Sequence, residues 1–237
     1  MRGKSLKTVL CSGVVAAAMI ACSNARAADL LVDFNDRDQS TLTQSGWNAF
    51  ELTSTNAAKS MTFGAYTVTV SDTGQPVLDD RVRTGPTGGS ITMSNMLRDF
   101  IFGDNNDSGQ GMSVLVEGLT PNKVYTGRIW SYDDTAATVL SGLTFLADWT
   151  ANGTLIADDY NSGGSVPTTD NEKSFAFSIA ADVDGKILFQ ALRTPESDGS
   201  AGVINGLELT AIPEPTTAAI TLIGGLAMLG RLTRRQS

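Results

Sequence analysis

Residues 174–193 read SFAFSIAADVDGKILFQALR, and two runs within them decide the fold. Phe175, Phe177 and Ile179 alternate with Ala176 and Ser178; Ile187, Phe189 and Ala191 alternate with Leu188 and Gln190. A strand turns successive side chains to opposite faces, so each run has one apolar face and one solvent face, the signature of a half-buried strand. Tyr66, Val68 and Val70 repeat the pattern against Thr67, Thr69 and Ser71. Between such runs lie SDTGQP (71–76), TGPTGGS (84–90), GDNNDSGQG (103–111) and NSGGSVP (161–167), rich in residues that supply positive φ or side-chain turn bonds. Only NMLRDF, 95–100, reads as a helical turn. Many short strands separated by Gly and Asn turns predict an all-β sandwich or barrel, and about 180 residues suffice for one jelly-roll domain with a real core. The loop Pro195 to Ser200 falls inside that domain, because Val203 to Leu209 resumes strand character. No internal repeat or long linker divides it, so the domain is expected over 28–211.

The two ends have a different character. Arg2, Lys4 and Lys7 precede an apolar stretch from Val9 to Ala21, followed by Ala25-Arg26-Ala27. A basic start, an apolar segment too short to span a bilayer and an A-x-A site read as a secretory signal peptide over 1–27, with Ala25 and Ala27 marking the cleavage. Met19-Ile20-Ala21-Cys22 loosely resembles a bacterial lipobox, although that pattern usually carries Leu where this chain has Met19. Cleavage after Ala27 is the reading adopted. It would remove Cys11 and Cys22, the only two cysteines, and leave a mature chain with no disulfide.

At the other end, Pro213-Glu214-Pro215 precedes TTAAITLIGGLAMLG, a run without charge from Thr216 to Gly230, and then Arg231, Arg234 and Arg235. As a helix that run would reach about 22 Å, short of the roughly 30 Å hydrocarbon core of a bilayer. Positive charge at both ends of the chain favours a topology with both termini on the cytoplasmic side and the body outside. The two prolines hold the triplet extended, a form that a processing enzyme can grip. The proline-flanked glutamate, short apolar run and basic end together resemble the PEP-CTERM sorting signal of Gram-negative bacteria that make exopolysaccharide. The resemblance implies recognition of Pro213, Glu214 and Pro215 by an exosortase-type membrane enzyme, transient inner-membrane anchoring over 212–237, and release or attachment outside. A permanent single-span anchor is the alternative.

Three stretches of the body carry a second, weaker resemblance. VLVEGLTPNKVYTGRIWSYDD from Val114, DGKILFQALR from Asp184 and GVINGLEL from Gly202 look like successive core strands of malectin-like, galactose-binding-like jelly rolls. In those, a Gly-Leu-x-Pro turn precedes a Tyr-led strand, and an Ile-Asn-Gly strand closes the sandwich. The stretch from Asp133 to Asn171 matches nothing obvious.

Charge and composition exclude several functions. Four of the 17 basic residues lie in the first 27 and three in the tail, so ten remain in the body against 24 of the 25 acidic ones. So negative a body is a poor partner for nucleic acid, while cations and neutral polymers suit it. With no histidine, and no cysteine left in the mature chain, Ser-His-Asp and Cys-His catalysis and the usual zinc sites are excluded. Paired carboxylates for glycoside hydrolysis are formally open at Asp79-Asp80, Asp133-Asp134 and Asp158-Asp159, although adjacent acids in turns are ordinarily just solvated. The chain is therefore read as non-catalytic.

Two binding constellations stand out. On the strand Tyr125 to Tyr132, period two puts Tyr125, Gly127 and Ile129 on one face and Arg128, Trp130 and Tyr132 on the other, with Asp133 and Asp134 at its end. If the first set packs the core, the second offers rings, a guanidinium and a carboxylate suited to a sugar; alternatively a loop covers Trp130. Trp47 and Trp149 are further aromatic candidates. Asp104, Asn106 and Ser108, with Gly109 following, reproduce the first half of an EF-hand loop, but Leu115 stands where the bidentate glutamate is needed. An irregular structural calcium loop or a plain Asx turn are both open there, and Asp33, Asn35, Asp36 and Asp38 form a second acidic cluster. The reading as a whole is an exported surface or matrix protein of a Gram-negative envelope, binding secreted polysaccharide without catalysis. The alternatives are a structural or adhesive protein with no small ligand, and a carboxylate-based glycosidase.

Overall fold

A computed structural model describes residues 28–37, 42–53, 58–74, 77–103, 107–133, 144–199 and 202–213. The strands are β1 (Leu30–Asn35), β2 (Asn48–Glu51), β3 (Ala58–Phe63), β4 (Tyr66–Asp72), β5 (Leu78–Val82), β6 (Asp99–Gly103), β7 (Gly111–Glu117), β8 (Val124–Trp130), β9 (Leu146–Ala151), β10 (Thr154–Asn161), β11 (Ser174–Ala180), β12 (Ile187–Arg193), β13 (Val203–Ile204) and β14 (Gly206–Ala211). A 3-10 turn at Met96–Arg98 occupies the segment where a helical turn was expected. Among the described residues no helix is long and apolar enough to cross a membrane. The signal segment, the lipobox and the tail from Glu214 onward lie outside the described residues.

A five-stranded sheet in the order β11-β8-β14-β1-β2 faces a six-stranded sheet in the order β10-β9-β12-β7-β4-β3. All neighbours are antiparallel except β1 and β2. The alternating residues meet between them: Val32, Phe34, Ile129, Leu207 and Leu209 from one sheet, Val68, Val70, Val114, Trp149 and Phe189 from the other, all fully buried. Phe177 of β11 and Phe189 of β12 cross this gap edge to face, 5.0 Å between centroids. The inner face of β8 is the one expected, Tyr125, Gly127 and Ile129. Gly127 is required there, because a Cβ would lie 2.0 Å from the Glu208 carbonyl oxygen and 2.7 Å from the Phe177 ring.

The stretch that matched nothing in sequence contains β9 and β10. They pair as a hairpin through Asn152-Gly153, with φ of 46° and 76°. Positive φ at both positions of a two-residue loop is what Asn-Gly supplies best, so this dipeptide was the signal to read.

A small third sheet, β13-β6-β5, closes one end of the sandwich. Ile101 and Ile204 point into the main core, while Phe100, Phe102 and Val203 form a separate apolar cluster on its other side. Arg81 and Arg83 lie over the Phe102 and Phe100 rings, at 4.8 and 5.5 Å from the centroids. The small sheet thus sets β6 against β1, which positions the carboxylates described below.

Candidate functional site

Register fixes what shares the outer face of the five-stranded sheet. Ser174, Trp130, Gly206 and Asp33 form one row across β11, β8, β14 and β1. Ala176, Arg128, Glu208 and Leu31 form the next, and Ser178, Thr126 and Thr210 the third.

The first row is covered. Gly206 has no side chain, and Met96 sits above it so closely that a Cβ would lie 2.3 Å from the sulfur. Trp47 packs edge-on against Trp130, centroids 5.3 Å apart and planes at 80°. Trp130 Nε1 donates to the Asp170 carbonyl at 2.7 Å. The Asp170 carboxylate in turn accepts from Thr92 N, Thr92 Oγ1 and Met93 N, tying the loop that carries Met96 to the loop that carries Asp170. Burial pulls the Asp170 pKa up, but the bonds from Thr92 and Met93 outweigh it and hold it below the ordinary carboxylate value.

Of the expected sugar-contacting set, Trp130 is therefore only 1% exposed and Tyr132 is fully buried, both in a small apolar cluster with Met96 and Leu97. The open aromatic face of β8 gives way to the alternative, coverage by loops. The Tyr132 amide donates to Asn205 Oδ1 at 2.6 Å. Asp133 accepts from Arg83 Nε at 3.0 Å, and its neighbour Asp134 lies outside the described residues. Trp149 is a core residue and Trp47 is half-buried.

Arg128 alone of that set reaches the open part of the face. Its Nη1 donates to Ser174 Oγ at 2.6 Å, and its guanidinium carbon lies 6.0 Å from the Trp130 ring centroid. Glu208 is its direct partner in register on β14, and both are half-exposed. Thr126 and Thr210 flank them half-exposed, and Ala176 and Ser178 are open to solvent. Together these form a polar shelf with a five-donor cation, an acceptor-only anion and hydroxyls that do both. Glu208 and the two threonines were not singled out in sequence; the signal was the same period-two argument carried from β8 to β14.

Beyond Gly206 the first row continues into buried carboxylates. Asp33 Oδ2 accepts from the Gln44 amide at 2.5 Å, while Oδ1 has no partner. Asn35, two residues on and on the same side of β1, donates from Nδ2 to Thr43 Oγ1 at 2.7 Å and leaves Oδ1 unpartnered. Asp99 opens β6 fully buried, with the Asp36 amide beside its carboxylate. All three residues are 0% exposed. Burial pushes Asp33 up to about 7 against the Gln44 bond. Burial, and then the charge of Asp33, push Asp99 up to about 8, with the Asp36 amide and Arg98 offsetting part. Next to them Arg37 bridges Asp79 at 2.7 Å and Asp80 at 2.6 Å, so that adjacent acid pair is already neutralised in part.

Asn205 holds this corner together. Its Nδ2 donates to the Asp99 carbonyl at 2.9 Å and the Tyr132 carbonyl at 3.1 Å, and its own carbonyl accepts from the Phe34 amide at 2.8 Å. Among the described residues no group of three or more His, Cys, Asp or Glu is arranged to share a metal ion. The corner offers two carboxylates and a carboxamide instead. Of the expected calcium loop, Asp104 and Asn106 lie outside the described residues and Ser108 sits in an exposed turn.

Several solved structures are similar to parts of this chain. The protein YXIM from Bacillus subtilis superposes with a TM-score of 0.44 at 16% identity, over 77% of this chain and 40% of its own. The ANX2 ectodomain from Arabidopsis thaliana gives 0.45 at 13%, over 57% of this chain and 40% of its own. A family 35 carbohydrate-binding module from Clostridium thermocellum gives 0.34 at 16%, over 67% of this chain and 96% of its own. This chain thus spans well under half the length of the first two. At such identities no residue role passes from these proteins to this one. No protein-family profile and no curated protein matches the chain.

Proposed function

We propose that this chain is an exported protein, associated with the envelope or its extracellular matrix, whose sandwich binds carbohydrate without catalysis through the polar shelf on the five-stranded sheet. The observation that supports it is the arrangement of Arg128, Glu208, Thr126 and Thr210 side by side across β8 and β14, all half-exposed on the outer face of the sheet. A sugar presents hydroxyls that both donate and accept, and a shelf with a fixed guanidinium, a carboxylate and threonine hydroxyls meets both needs. Sheet residues hold such groups in place more firmly than loop residues do. The Ser174 bond and the Trp130 ring hold Arg128 in position before any ligand arrives.

A glycan array probed with the wild type and with Arg128→Ala tests this. Binding to a defined set of polysaccharides, reduced at least about tenfold by the substitution, is the expected result, since a charge-assisted contact of this kind is worth roughly 1.5–3 kcal/mol. Absence of binding to any glycan would favour an adhesive or structural surface protein instead, and turnover of a bound polysaccharide would favour a glycosidase.

Export and sorting rest on the two termini. In the native host the reading requires cleavage after Ala27 and processing at Pro213, Glu214 and Pro215 by an exosortase-type enzyme. An intact mass that begins at Ala28 and lacks the basic tail is the outcome expected; a chain found full length in the cytosol contradicts it.

A further inference from the structure

We infer that two copies of this chain pair through β11, edge to edge and antiparallel about Phe177, joining their five-stranded sheets into one continuous sheet. An edge strand presents unpaired backbone donors and acceptors that template pairing, and folded proteins blunt such edges with charge, bulges or shortness. Among the described residues every other sheet edge is blunted. β2 carries Glu51, β3 carries Lys59, and β5 carries Asp79, Asp80 and Arg81. β10 carries Asp158 and Asp159 and is broken by register shifts, and β13 has only 2 residues. β11, SFAFSIA, keeps an unbroken register with β8 over its 7 residues and has no charge and no proline.

The register shows which backbone groups are free. Ser131 N donates to the Lys173 carbonyl at 3.0 Å and Ala181 N to the Lys123 carbonyl at 2.9 Å, so the odd-numbered residues of β11 turn their backbone groups to β8. Those of Ser174, Ala176, Ser178 and Ala180 turn the other way. Among the described residues only Asn152 reaches that side, its Nδ2 donating to the Ala180 carbonyl at 3.1 Å, at the strand's end.

The strand's own sequence selects a second copy as the occupant. About a twofold axis at Phe177, Ala176 falls opposite Ser178 of the second copy and Ser174 opposite Ala180, so free groups meet free groups and small side chains meet small ones on the outer face. On the inner face Phe175 falls opposite Ile179 and Phe177 opposite itself. Phe175 and Ile179 are only half-buried in the single chain, and the pairing covers them further. No like charges oppose each other within the strand, in a body that is otherwise strongly acidic. The pairing sets the two β8 strands three strand spacings apart, about 14 Å, with their outer faces continuous.

This goes beyond the glycan reading, and no glycan is needed to test it. Full-length protein in density-matched detergent is followed by sedimentation equilibrium, where a monomer–dimer equilibrium is expected. Ala176→Lys combined with Ser178→Lys sets ammonium groups opposite one another across the axis, at positions exposed in the single chain. It should raise the dissociation constant at least about tenfold at an unchanged Tm. Should that variant not fold, Ala176→Cys combined with Ser178→Cys brings introduced thiols of two copies opposite one another at a Cα separation of about 5.5 Å, within disulfide reach. Air oxidation should then join position 176 of one copy to position 178 of the other, read by peptide mass mapping. A wild type that stays monomeric up to about 100 µM, as it would if a segment of its own chain took the edge, overturns the inference. A dimer unaffected by the two lysine substitutions, or an oxidised cysteine variant without the 176-to-178 link, overturns it equally.

Discussion

Asn205 shows how much one side chain can decide. It satisfies the Tyr132 amide and carbonyl and the Asp99 carbonyl, joining β6, the end of β8 and the last strands across 106 residues of sequence. Asn205→Ala leaves buried backbone groups unpaired and is predicted to cost about 3 kcal/mol in urea unfolding, since each orphaned group costs roughly 1–3 kcal/mol. A loss below about 1 kcal/mol would mean that water replaces the side chain. Trp130, fully packed against Met96 and Trp47, behaves as core: Trp130→Ala should cost about 3–5 kcal/mol, which makes it a stability variant. Arg128 is the residue to change when binding is the question. Sequence placed Arg128, Trp130 and Tyr132 on one face of β8, but period two says only which side a residue takes. What covers that side depends on Met96 and Gly206, brought together by pairing between distant strands.

Elements tell a similar story. The inner faces of β4, β8, β11 and β12 were legible because alternation is a local property, and the turn at Met96 because its sequence departs from it. The order of strands in the sheets was not, since long-range pairing leaves little trace in composition. Gly127 marks one point where two elements nearly touch, and Gly127→Ala should destabilise by at least 1–3 kcal/mol through overpacking of β8 against β14 and Phe177. The lid over Trp130 is held by Asp170, whose folded pKa is depressed. Its contribution is therefore complete above the unfolded value, about 3.9, and is lost as pH falls through the folded one. Tryptophan fluorescence of the wild type should change below about pH 4, where the Thr92 and Met93 bonds to Asp170 fail, and Asp170→Asn should remove that transition while the main fold persists. An unaltered transition in the variant would assign it to other carboxylates.

At the scale of the whole molecule, the structure has two distinct polar features. One is an open shelf on β8 and β14; the other is a closed carboxylate corner between β1 and β6. Sequence pointed to acidic oxygens near Asp33 and Asn35 and near Asp104, without a way to bring Asp99 to the first of these. The fold does so, through the end sheet and Asn205. The central claim is that the outer face of the five-stranded sheet is the working surface. Isothermal titration of wild type and Arg128→Ala with whichever polysaccharide the wild type retains tests it most directly. Affinity reduced at least about tenfold at an unchanged Tm is the predicted result, as expected for loss of a charge-assisted contact; equal affinities in the two proteins would contradict it.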